Sequence, residues 1–130
     1  MAHFSLNFGR DDGGEVFLIA SLDTGQFKGK CHYWCPPGEF EDLRSALRTF
    51  PISKERPLDM LWYGNCVALR IEPIDSVGHL VVSVALRDDV SDWNRCQSQF
   101  HSSYGEVDRF RDQLENVLRE GTGEAVLSAH

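Results

Sequence analysis

The chain has 130 residues, 42% of them hydrophobic and 25% charged, which is the balance of one globular domain able to bury a core without staples. Its net charge of −7 disfavours bulk attraction to nucleic acid or to an anionic membrane. No apolar run approaches the roughly 20 residues that span a bilayer, and the first residues lack a basic segment followed by an apolar one, so the cytoplasm is the expected location.

Phe4, Leu6 and Phe8 alternate with Ser5 and Asn7, the pattern of a half-buried strand. A glycine-rich turn over residues 9–14 leads to the almost wholly apolar run Val16–Leu22, which reads as a second strand. Asp23-Thr-Gly-Gln26 is a hairpin connection, with Gly25 free to take positive φ. Residues 27–34 alternate again: Phe27, Gly29, Cys31 and Tyr33 face one way, and Lys28, Lys30, His32 and Trp34 the other. Pro36-Pro37 ends that strand. A helix is expected over 39–49, its stripe formed by Phe40, Leu43, Leu47 and Phe50.

Residues 51–61 carry two prolines and no period, and read as a crossover. A single strand is expected from Trp62 to Glu72, another over Leu80–Leu86, and a long one over Trp93–Ser103. A second helix follows over 106–120, with the stripe Val107, Phe110, Leu114, Val117 and Leu118. Gly121-Thr-Gly123 stops it, and residues 121–130 read as a loosely held tail.

The two helical stretches superpose at a constant offset, 105 − 38 = 67, which sets Gly38 on Gly105, Leu43 on Phe110 and Leu47 on Leu114. Tyr33 falls on Phe100 at the same offset, and the middle strands align at 80 − 16 = 64. The expected architecture is α+β: one domain of two β-β-β-α halves, 1–50 and 62–120, in a six-stranded, mainly antiparallel sheet with both helices on one face.

Four cysteines, Cys31, Cys35, Cys66 and Cys96, do not form the paired spacing of a zinc site, and they read as free thiols. The histidines are scattered. Asp88, Asp89 and Asp92 crowd one turn but read as solvated side chains rather than a calcium loop. Cys31 and His32 are strand neighbours and therefore point to opposite faces. With no nucleophile–base pair in view, no catalytic residue, metal or cofactor is expected.

The sheet face opposite the helices is more informative. It gathers Lys28, Lys30, His32 and Trp34 from one strand, Arg70 and Glu72 from another, Ser83 and Arg87 from a third, and Trp93, Arg95, Gln97, Gln99 and His101 from the last. Phe17 and Ile19 can lie beside them. The face is basic and aromatic on an acidic protein, and tryptophan and arginine are enriched where partners bind. Lys28, Lys30, Trp34, Arg70, Arg87, Trp93 and Arg95 are the candidate partner-binding residues. The expected partner is a protein rather than nucleic acid or membrane, with the chain itself a monomer or homodimer. A small molecule held on this face or between sheet and helices is the alternative.

Four stretches resemble a family of small bacterial cytoplasmic proteins close to the WapI-family immunity proteins. They are Thr24-Gly-Gln-Phe-Lys-Gly29, Phe40-Glu-Asp-Leu-Arg-Ser-Ala-Leu47, Asp75-Ser-Val-Gly-His-Leu80, and the closing strand and helix to Leu118. Gly78 in the third is placed to supply an unusual φ at a turn. The segment 51–61 departs from the family pattern. The resemblance implies no catalytic residues and a partner-binding role such as neutralising a toxin.

Overall fold

In a computed structural model that describes residues 2–35, 44–62, 66–88 and 94–130, the described residues form eight strands. β1 (His3–Arg10), β2 (Val16–Asp23) and β3 (Lys28–Cys35) form an antiparallel meander. Helical residues 44–47 (α1) and β4 (Leu58–Trp62) follow. β5 (Val67–Pro73), β6 (His79–Arg87) and β7 (Arg95–Ser103) form a second meander, succeeded by α2 (Tyr104–Glu120) and β8 (Gly123–Ser128).

The expected α+β class and antiparallel pairing hold, but the single six-stranded sheet does not. Each meander belongs to its own four-stranded sheet, in the orders β3-β2-β1-β8 and β4-β5-β6-β7. Three further expectations are corrected. Residues 51–61 are not all crossover, because β4 begins at Leu58. Trp62 closes β4 rather than opening a strand to Glu72. Residues 121–130 are not a loose tail, because β8 pairs with β1 along its length and buries Ala125 and Leu127 completely. The 39–43 portion of the first expected helix lies outside the described residues.

The fourth strand of each sheet comes from the other half of the chain. β4 follows the first meander but pairs with β5; β8 follows the second but pairs with β1. Register carries the correspondence further. Phe4, Leu6 and Phe8 of β1 occupy the places of Val67, Leu69 and Ile71 of β5, and Met60 and Trp62 of β4 those of Ala125 and Leu127 of β8. Tyr33 and Phe100, offset by 100 − 33 = 67, are both buried. The repeat is thus β-β-β-α-β, with the last strands exchanged.

The inward faces make one core. Phe8 of β1 and Trp62 of β4 meet across the sheets at 5.8 Å between ring centroids. β7 runs across the ends of the first sheet's strands. Near its start Cys96 lies against Gly29 of β3, and near its end the Ser102 hydroxyl donates to the Ser128 carbonyl of β8 (2.7 Å). Those two partners sit on opposite edges of the first sheet, so the strands of the two sheets cross, as in orthogonal packing.

The helices do not share one face of one sheet. α2 closes the core beside β8, burying Val107, Phe110, Leu114 and Val117, with the Phe110 and Phe4 rings 6.2 Å apart. Its Gln113 side chain accepts a hydrogen bond from the Val126 amide (2.7 Å), satisfying an edge donor of β8. Residues 44–47 lie beside β4 instead, where Ser45 and Ala46 border a hollow with Asp59, Met60 and Leu61. Ser103 caps α2 at its start, and Gly121 ends it in the left-handed region at φ 78°.

The β1–β2 and β5–β6 turns are built alike. Asp11 Oδ1 accepts from the Glu15 amide (2.9 Å), and Asp75 Oδ1 from the His79 amide (3.2 Å). Gly14 and Gly78 have φ of 82° and 98°, which an L side chain adopts only with strain. The two aspartates are separated by 75 − 11 = 64, the offset of the middle strands.

A hydrogen bond from the His79 ring (2.5 Å), then one from the Val77 amide, hold the Asp75 carboxyl below its ordinary value of 3.8. A depressed carboxylate adds stability above that value and loses it as pH falls through the folded one. Asp75→Ala is therefore expected to melt earlier than the parent at neutral pH, with the gap closing only below pH 3.8 in a thermal-unfolding series.

Candidate binding face

Alternation puts the even-numbered residues of β3 on the solvent side of the first sheet. Lys28, Lys30, His32 and Trp34 are all exposed there, on an edge strand, and register sets Lys28 opposite Asp23, Lys30 opposite Ser21, His32 opposite Ile19 and Trp34 opposite Phe17. Phe17 lies over Gly9 of β1, where even a β-carbon would come within 2.5 Å of its ring. A ring resting on a glycine is fixed from below. Phe17 in turn meets His32 edge-on at 5.3 Å and Trp34 edge-on at 6.4 Å, and His32 and Trp34 are 5.9 Å apart. Trp34 stays 58% exposed in this ordered cluster.

Lys28 Nζ stands 3.8 Å from Asp23 Oδ2, with the lysine side chain 68% exposed. The Gly25 amide, chiefly, and Lys28 in addition hold Asp23 below the usual carboxylate range, so Asp23 is anionic at neutral pH and offsets part of the Lys28 charge. In solvent such a pair contributes little.

The single sheet face expected for the candidate residues does not exist, because Lys28, Lys30 and Trp34 belong to the first sheet and Arg70, Arg87 and Arg95 to the second. Trp93 lies outside the described residues, as do Asp89 and Asp92 of the acidic turn. Arg70 is already matched: Nη1 meets Asp59 Oδ2 at 2.8 Å and Nη2 meets Glu72 Oε2 at 3.3 Å. These bonds, the one to Glu72 foremost, raise the arginine further above its ordinary value. The local excess of positive charge read from the sequence is smaller here, because Asp59 of β4 stands opposite Arg70 in register. Arg87 and Arg95 pair at the far end of β6 and β7, where the Arg87 carbonyl accepts from the Tyr33 hydroxyl (2.7 Å). Arg95 is exposed.

The outward side of the second sheet also carries an open hollow of about 410 Å³. Its floor exists because Ala68 and Ala85 are small; Arg70, Ser83, Gln97 and Gln99 supply polar groups around it. Gln99 Nε2 donates to Ser83 Oγ (2.9 Å).

Phe17, expected with Ile19 beside this face, sits in a run, Val16–Leu22, that is apolar at every position except Ser21. Its signal is the cross-strand pair with Gly9, readable once the β1–β2 register is fixed by the Asp-x-x-Gly turn. Cys31 alternates inward between Lys30 and His32, and Cys96 and His101 likewise face opposite ways, as their spacing predicts. Among the described residues, no three of histidine, cysteine, aspartate and glutamate cluster to hold a metal ion, and no helix is long and apolar enough to cross a membrane.

Comparison with protein-family models, with curated proteins and with solved structures returns no match for this chain. The class that the geometry defines is therefore structural: an α+β protein of two crossed four-stranded antiparallel sheets with exchanged final strands.

Proposed function

We propose that the protein is a non-enzymatic binding protein that engages an acidic protein surface through the β3 side of its first sheet. The observation that carries this reading is the ordered Phe17–His32–Trp34 cluster, exposed at Trp34 and flanked by Lys28 and Lys30. An aromatic anchor held in place before binding loses little conformational freedom on association, and neighbouring cations steer an acidic partner. An immunity-type role, in which the partner is a toxin whose basic target site is mimicked or whose acidic surface is covered, is the specific form suggested by the sequence resemblance. A second reading places a small polar ligand in the hollow over Ala68 and Ala85, whose volume is in the range of ligand sites.

The test uses affinity capture from the native host with mass spectrometry, followed by binding measurements with the purified partner. Lys28→Glu/Lys30→Glu and Trp34→Ala are each expected to weaken that binding at least tenfold. Melting should change little for the lysine pair and by no more than about 1 kcal/mol for Trp34→Ala, which loses its exposed ring's contacts with Phe17 and His32. Arg70→Ala serves as the contrast. If binding survives the β3 substitutions and is lost with Arg70→Ala, the β3 face is the wrong site.

A further inference from the structure

We propose that Cys31 and Cys96 are a redox modification site, forming a reversible disulfide that ties β3 to β7 where the two sheets meet. The inference is independent of the binding role.

Both cysteines are half-buried, and both pack against the core from its margin. Cys96 sits against Gly29 so closely that a β-carbon on that glycine would overlap the Cys96 β-carbon and come within 2.8 Å of its sulfur. Cys31 is the next inward-facing residue of β3 after Gly29, one strand repeat of roughly 7 Å further along. The Cys96 sulfur thus already lies over β3, one inward position from the Cys31 side chain. Cys31 is also near enough to act on Cys96: burial pushes the Cys96 thiol up, and the nearby Cys31 pushes it further.

The other pairing suggested by sequence proximity is excluded by the same geometry. Cys31 and Cys35 both belong to the extended strand β3, four residues apart, so their α-carbons stand about 13 Å from each other. A disulfide needs about 4.4–6.8 Å. Cys66 is buried, and its backbone carbonyl faces the Tyr33 hydroxyl at 3.4 Å, further along β3 than Cys31.

The oxidant is a low-molecular-weight disulfide such as glutathione disulfide. The Cys31 thiolate attacks one of its sulfurs, forming a mixed disulfide and releasing one glutathione thiolate. Cys96 then gives up its proton to solvent and attacks the Cys31 sulfur, releasing the second glutathione. Two protein thiols are oxidised and one glutathione disulfide is reduced to two glutathione molecules. Cys96, whose thiol is pushed up by burial, attacks second.

The test treats the reduced, folded protein with glutathione disulfide and maps its peptides without reduction. The expected product is a monomer that has lost two hydrogens and contains one 31–96 link. It should be absent from Cys31→Ser and Cys96→Ser and retained in Cys35→Ser and Cys66→Ser. The oxidised wild type should melt higher by roughly 5–15 °C and return to its starting midpoint on reduction. Any other link, a persistent glutathione adduct on Cys31 without closure, or an unchanged thiol count would overturn the proposal. The wild-type map decides this even if a serine variant folds poorly.

Discussion

Replacing Gly29 by alanine is expected to lower stability by about 2 kcal/mol, moving the thermal midpoint down by roughly 8 °C. In an ordinary strand position the same change would help, because alanine restricts the unfolded chain more than glycine does. Here the added methyl overlaps the Cys96 β-carbon, an atom that no side-chain rotation can move aside. Either β3 or β7 must shift, and both are tied elsewhere. β3 is paired with β2 over its whole length, and Tyr33 is anchored to the Arg87 carbonyl. β7 is paired with β6 and bonded to the end of β8. The strain therefore has little room to relax. Cys96→Gly removes the opposing carbon, so a double-mutant cycle is the decisive measurement. Cys96→Gly alone should destabilise, while in the Gly29→Ala background it should cost less or restore stability, a favourable coupling of about 1–2 kcal/mol. Additive effects, or a Gly29→Ala variant more stable than the parent, would mean that the two strands do not cross at this point.

Gly29 also marks the limit of what alternation can tell. Alternation places it on the inward side of β3 and Cys96 on the inward side of β7. What alternation cannot supply is the identity of the element opposite. Two inward-facing strands can be neighbours in one sheet or cross in two, and the period of two is the same in both cases. β1, β2, β3, β6 and β7 were therefore legible as elements, and α2 began two residues earlier than expected, while the sheet that contains them was not.

The candidate residues fall in two sheets for the same reason: Lys28 belongs to β3 and Arg95 to β7. Arg70 lost its apparent surplus charge because its partner Asp59 lies in β4, a strand hidden by the prolines around it. Leu58, Met60 and Trp62 do alternate with Asp59 and Leu61, but exposed Leu61 blurs the pattern. The repeat, in contrast, was better written in the sequence than its helices alone suggest. Asp11-Asp-Gly-Gly14 and Asp75-Ser-Val-Gly78 are the same turn, closed by the same aspartate-to-amide bond. Each turn sets the register of its own hairpin, β1–β2 or β5–β6.

Those exchanged strands set the second large effect. Leu127→Ala is expected to cost about 3 kcal/mol, the midpoint falling by roughly 12 °C, and a chain ending at residue 122 is expected not to fold. β8 is short, and Gly123-Glu-Ala-Val-Leu-Ser has little intrinsic strand preference, which is why it reads as a tail. Its stability comes from where it docks. Leu127 pairs with Phe4 and Ala125 with Leu6, and all four side chains are sealed from solvent. Without β8, β1 becomes an open edge, and α2 loses the strand it packs beside. Trp62 occupies the corresponding place in β4, so Trp62→Ala should be comparably damaging in the second sheet. Amide exchange separates this arrangement from a merely docked tail. The Val126 amide, bonded to Gln113, should exchange as slowly as the inner amides of β2, through global unfolding. Fast exchange at Val126, together with a loss below 1 kcal/mol for Leu127→Ala, would instead make the last strand an accessory and return the core to β1–β7 alone.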